Sequence, residues 1–123
     1  MTLSRIALAV VAVITLSHAA MAQVFPTRAD GPVTDDAQII DDATEARLTD
    51  RLNTLRTDTG AVVNVVTLPS MSLYTMGEEI DVYAGLLTDE FGLVTTPDGK
   101  WALLLVFADD RELRFETGPA YED

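Results

Sequence analysis

An unbroken apolar run, Trp101-Ala-Leu-Leu-Leu-Val-Phe-Ala108, ends in two adjacent carboxylates, Asp109 and Asp110, and then gives way to the alternating stretch Glu112-Leu-Arg-Phe-Glu116. A continuous apolar run of this length suits a strand buried on both faces. Strict alternation suits a strand with one wet face. The short turn between them is enough for a hairpin. The segment therefore demands a sheet, and it delivers a pair of acids to the end of that sheet's central strand.

The rest of the chain supplies partners for this strand. Residues 61–68, Ala-Val-Val-Asn-Val-Val-Thr-Leu, are rich in β-branched side chains and read as a second buried strand. Between the two strands, Ile80, Ala84, Leu87 and Phe91 recur at helical spacing, with Tyr83 flanking the stripe and Gly92 as a stop. Glu78 and Glu79 put negative charge at that helix start, where the macrodipole favours it. A buried strand, a helix and a buried strand make a βαβ unit with parallel strands and a right-handed crossover. Upstream, Leu48, Leu52 and Leu55 form one stripe over residues 43–58, with Asp41 and Asp42 as caps and Gly60 as the stop. Val33-Thr34-Asp35-Asp36 predicts a cap and first-turn acids for a short helical turn through Ile40. The fold class is α/β, with a βαβ-based sheet of parallel central strands, a hairpin strand, and helices packed on the faces.

Residues 1–22 read as a targeting signal. Arg5 gives a positive n-region, residues 6–16 are apolar apart from Thr15, and Ala20-Met21-Ala22 fits the small-x-small rule for cleavage between Ala22 and Gln23. The apolar run falls short of the roughly 20 residues of a membrane span, so the mature chain is predicted to be exported, periplasmic or secreted, with no membrane span. Residues 23–32, with Pro26, Gly31 and Pro32, read as an exposed lead-in to a domain over 33–123.

Charge and missing residue types exclude whole classes of function. The chain carries a net charge of −12, and loss of Arg5 with the leader makes it −13. Nucleic acid is a poor partner for such a surface. There is no cysteine, and the single histidine, His18, lies in the leader. Ser-His-Asp and Cys-His mechanisms are therefore closed to the mature chain, as is a His/Cys zinc site. A bound metal would take oxygen ligands, which favours calcium or magnesium.

Asp109 and Asp110 follow the C-terminal end of a parallel strand, where ligands bind in open α/β sheets. With Asp35 and Asp36 nearby they could contribute to the roughly six to eight oxygens that calcium takes; alternatively they form a solvated hairpin turn. Asp35 and Asp36 also read as caps. Ser70, Ser72 and Tyr74 follow the first buried strand on the same sheet edge; Ser70 could orient a substrate, or the loop could simply connect. Arg111 could clamp a phosphate bidentately, or pair with Asp109 or Glu112. Trp101 reads as capping the core near a strand start, with stacking on a ligand as the alternative.

Taken in order, several of these segments resemble the TPM domain family of exported or lumenal α/β domains. Val33-Thr34-Asp35-Asp36-Ala37 resembles its opening motif; Leu52, Leu55, Thr59-Gly60 and Val-Val-Asn-Val-Val-Thr its first helix and strand. Ile80, Tyr83-Ala84 and Phe91-Gly92 resemble its second helix, where the family usually has Trp-Gly. Leu103 to Val106, the acidic turn with Arg111, and Glu116-Thr117-Gly118 resemble its strand pair. Lys100-Trp101 stands where the family often has Asn-Gly, and the family continues past the equivalent of Asp123 with further helical sequence. Because the family includes a thylakoid-lumen acid phosphatase, the resemblance implies metal-assisted phosphomonoester hydrolysis as one expectation. Calcium at the four acids is another. The residues themselves offer oxygen ligands without a persuasive catalytic set. They favour a divalent-cation or protein-binding accessory module among envelope or membrane-complex proteins, with a purely structural domain as a third class.

Overall fold

The computed structural model describes residues 23–122, so the proposed leader lies outside the described residues. Four strands form one mixed sheet in the order β1-β2-β3-β4. They are β1 Val33–Asp35, β2 Val62–Leu68, β3 Trp101–Phe107 and β4 Glu112–Thr117. β1 and β3 both pair parallel to β2, and β4 returns antiparallel to β3. Three helices accompany the sheet: α1 Asp42–Thr59, α2 Met71–Tyr74 and α3 Ile80–Glu90. The βαβ unit, the hairpin and the two long helices are those the sequence predicts.

One expected element is corrected. The helical turn over Val33 to Ile40 is instead the short parallel strand β1, followed by a turn in which Gln38 takes φ 54°. A single turn of helix fixes several dihedrals for one hydrogen bond. The same residues laid along the edge of β2 gain ladder bonds instead, with Val33 opposite Val65 and Asp35 opposite Thr67.

The core lies on one face of the sheet. Paired residues share a face, so Val66 and Leu68 of β2 stand with Leu103, Leu105 and Phe107 of β3. Against them α3 lays Tyr83, Ala84 and Leu87, with Phe91 just past its end, and all are buried. Each such large apolar side chain contributes on the order of 1.5–3 kcal/mol by leaving water. The lead-in is exposed at Val24, Thr27, Arg28 and Asp30 but tied to this core. Phe25 stacks on Tyr83 at 5.6 Å, and the buried Tyr83 hydroxyl donates to Val24 O at 2.7 Å. Burial drives the Tyr83 phenol well above its usual range, with Tyr74 adding to the effect.

The opposite face is only half covered. α1 is capped as expected: Asp41 accepts from Thr44 N at 2.8 Å, and Gly60 closes the helix at φ 80°. Yet none of its residues is buried, and Leu55 is exposed. The leucine stripe faces β1 and β2, leaving β3 and β4 open on this side.

Candidate functional site

The ends of the three parallel strands bring most of the predicted site residues to one edge. Asp35 closes β1. Its carboxylate accepts from Ile39 N at 3.1 Å, Ile40 N at 3.0 Å and the Thr67 hydroxyl. Burial opposes its ionisation, but the bonds from Thr67, Ile40 and Ile39 outweigh burial and hold the carboxyl below the ordinary aspartate value. Asp35 therefore organises its own turn. Asp36 donates its N–H to Thr67 O at 3.0 Å, while its carboxylate accepts no hydrogen bond among the described residues.

Past the ends of β2 and β3 the two segments stay paired, Ala108 N to Leu68 O and Asp109 N to Pro69 O, both at 2.9 Å. Asp110 accepts from Met71 N at 2.7 Å and so caps the short α2. Ser70 and Ser72 hydroxyls meet at 2.8 Å. Arg111 is exposed, with φ 54°, and makes no ion pair among the described residues.

Shared edge is not shared site. Asp35 and Asp36 line a hollow of about 490 Å3 with Asp42 and Glu45, whereas Asp110 lines another of about 560 Å3 with Glu78 and Glu79. Strand β2 separates the two. Among the described residues, no three acidic side chains converge closely enough to hold a metal. Sequence reasoning treats Asp42, Glu78 and Glu79 only as helix-start charges, because spacing along a chain does not reveal which strand end a helix begins beside. Trp101 is buried in the core, as expected, with Gly118 against its indole.

A second feature is not legible from any motif. On the half-covered face, Leu113, Phe115 and Thr117 of β4 stand beside Val106, Leu104 and Ala102 of β3. Leu113 is 66% and Phe115 55% exposed. Ala102, Phe115 and Thr117, together with Leu55, Val63 and Tyr121, border an apolar groove of about 570 Å3, with Lys100 at its margin. Along the same side of α1, Thr44, Arg47, Leu48 and Arg51 line a neighbouring hollow. Neither lining includes an acid, although the chain has 20 acidic residues against 8 basic ones. The alternation in residues 112–116 was the available signal, but it does not say which of the two faces packs.

Comparison with known families matches the TPM domain profile to residues 33–123. The chain belongs to the TPM domain family. No curated protein matches the chain. Among solved structures, this TPM domain is similar to the N-terminal domain of a protein from P. gingivalis, with 30% identity and a TM-score of 0.63. That likeness covers 73% of this chain and 56% of the other. It is also similar in fold to the N-terminal domain of the cg2496 protein from Corynebacterium glutamicum, with 16% identity and a TM-score of 0.62 over 86% of this chain and 65% of that one. The chain thus spans less than two thirds of the length of either neighbour. No helix among the described residues of the TPM domain is long and apolar enough to cross a membrane.

Proposed function

We propose that this TPM domain is an exported, protein-binding accessory module of the cell envelope. It docks an amphipathic helix, apolar on one side and acidic along its flanks, in the groove over β3 and β4. One observation supports the reading: the groove carries Lys100 and the separate hollow on α1 carries Arg47 and Arg51, and neither lining includes an acid, in a chain of net charge −12. A sheet face takes a helix as its natural second layer. The apolar floor supplies the contact area, and the cationic margin selects the sign of the partner's flank.

Two synthetic helices test this, each with a leucine stripe, one flanked by glutamates and the other by lysines. The glutamate helix is expected to shift the amide resonances of Ala102, Leu104 and Phe115 and to weaken with salt. Equal response to both helices, or to neither, overturns the charge-selected docking. Sedimentation that shows a dimer through Phe115 would instead assign the face to a second copy.

Hard-cation binding, calcium ahead of magnesium, is a second reading. It draws on Asp109 beside Asp110, at the edge where ligands gather in α/β sheets; the Asp109 carboxylate accepts no hydrogen bond among the described residues. Millimolar calcium should then raise the melting temperature, and Asp109→Asn with Asp110→Asn should remove the rise. Aryl phosphate turnover abolished by that same pair of substitutions would displace both readings in favour of a phosphatase-like hydrolase.

A further inference from the structure

The outer edge of β4 pairs with no strand among the described residues. Gly118 N–H donates to Trp101 O at 2.8 Å, and hydrogen-bonded pairs alternate along an antiparallel ladder. In the register of β3 with β4, Glu116, Arg114 and Glu112 therefore bond inwards to Leu103, Leu105 and Phe107. Leu113, Phe115 and Thr117 turn their N–H and C=O groups outwards, where no described residue bonds them. Although α3 packs against β4, Glu112, Leu113, Arg114 and Phe115 stay exposed. Natural edges are blunted by proline, by lysine or by a bulge. The sequence of β4, Glu-Leu-Arg-Phe-Glu-Thr, has neither residue, and its pairing with β3 runs without interruption.

The charges of β4 alternate in sign, and all of them lie on the α3 side of the sheet: Glu112, Arg114 and Glu116. Arg114 and Glu116 already attract along the strand, with Nε and Nη2 of the guanidinium both 3.0 Å from Oε2. The other carboxylate oxygen and the other N–H groups are left for a neighbour. An antiparallel copy centred on Phe115 sets Arg114 opposite the partner's Glu116, and Glu116 opposite the partner's Arg114. These are non-hydrogen-bonded positions, where facing side chains stand closest. Sliding the copies by two residues sets Arg114 or Glu116 against its own like charge. A slide of four runs Phe115 off the end of the facing strand. The strand thus selects one antiparallel register for a copy of itself.

We propose that a second copy of this chain docks on the outer edge of β4, antiparallel and with Phe115 facing Phe115, so that one sheet runs through both copies. Every outward N–H and C=O of Leu113, Phe115 and Thr117 then gains a partner. The two Phe115 rings meet on the open face, an aromatic cross-strand pair. The net charge of −12 on each copy opposes association. At physiological salt, however, charges separated by more than about 8 Å are largely screened, whereas directly facing pairs are not. The contact uses the edge of β4 and leaves its open face free, so the docking of a helix over β3 and β4 stands or falls separately.

The test joins sedimentation equilibrium, up to millimolar protein, to amide hydrogen exchange read by NMR. A monomer–dimer equilibrium is expected, with the Leu113, Phe115 and Thr117 amides gaining protection as the dimer forms. Arg114→Glu and Glu116→Arg, both at partly exposed side chains, should each weaken the dimer by roughly tenfold or more, because two attractive pairs become repulsive. An equimolar mixture of these two variants should associate as tightly as the parent, since opposite charges face each other again. The double variant, which exchanges the two charges within the strand, should do the same. A protein that stays monomeric overturns the proposal, as does a mixture or a double variant that fails to recover. A dimer indifferent to both single variants also overturns it and belongs to the open face, because Arg114 and Glu116 point to the other side.

Discussion

Asp35 concentrates more of the local architecture than any other single side chain. Three donors converge on it, so its charge stabilises the turn that follows β1. A carboxyl held below its ordinary value stabilises the fold above the unfolded value of about 4, and the contribution is lost as pH falls through the depressed folded value. Asp35→Asn should therefore cost about 1 kcal/mol at pH 7. The gap should close towards pH 3, as read by urea denaturation at both pH values. A gap that stays constant would mean that charge is irrelevant and only shape matters. Gly118 carries a different constraint. A Cβ there would stand 2.3 Å from Gly99 O and 2.5 Å from the Trp101 indole nitrogen, both fixed groups. Gly118→Ala should cost about 1–3 kcal/mol through forced shifts, and the fluorescence of Trp101 should report a disturbed environment before global unfolding. Neither role was visible in the sequence, where Asp35 reads as a cap or ligand and Gly118 as part of a family pattern. Both depend on which strands lie beside them.

Among the elements, legibility followed periodicity. β2, β3 and α3 combine long apolar runs or stripes with clear stops, and each is found where its pattern predicts it. β1 has three residues, too few to express a period, and its conformation is decided by the edge it meets. α1 shows the limit of the same logic. Its leucine stripe correctly forecasts a helix, but burial depends on how much sheet lies beneath, and α1 covers only part of it. Its stability must therefore lean on its ends. Gly60, at φ 80° with open space around it, pays no steric cost beyond backbone conformation. Gly60→Ala should destabilise by about 1 kcal/mol. Thermal unfolding followed by circular dichroism checks this; an unchanged midpoint would show that α1 ends without need of a left-handed residue.

For the molecule as a whole, the sheet is asymmetric: one face is sealed by α3 and the other is open over β3 and β4. Phe115 on the open face makes little use of the core, so Phe115→Ser should change stability by less than about 0.5 kcal/mol, as surface substitutions do. It should nevertheless abolish the response to the glutamate-flanked helix. Loss of folding in this variant would mean that the open face belongs to the core after all. The strand-end site was legible as far as the common edge, because topology alone places strand ends together. Its division into two hollows was not, since that depends on where α1, α2 and α3 start.

The hairpin turn has a reach that its size conceals. Strand side chains alternate with a period of two, so sliding β4 by one residue against β3 would exchange its two sets of side chains. Glu112, Arg114 and Glu116 would then look out over the groove, while Leu113 and Phe115 turned towards α3. What prevents this is the bend from Asp109 to Arg111, fixed by a left-handed residue at φ 54°. The greasy or wet character of an entire molecular surface is thus written in the length of a loop rather than in the composition of the strand. One residue added to that loop, or removed from it, is enough to rewrite it.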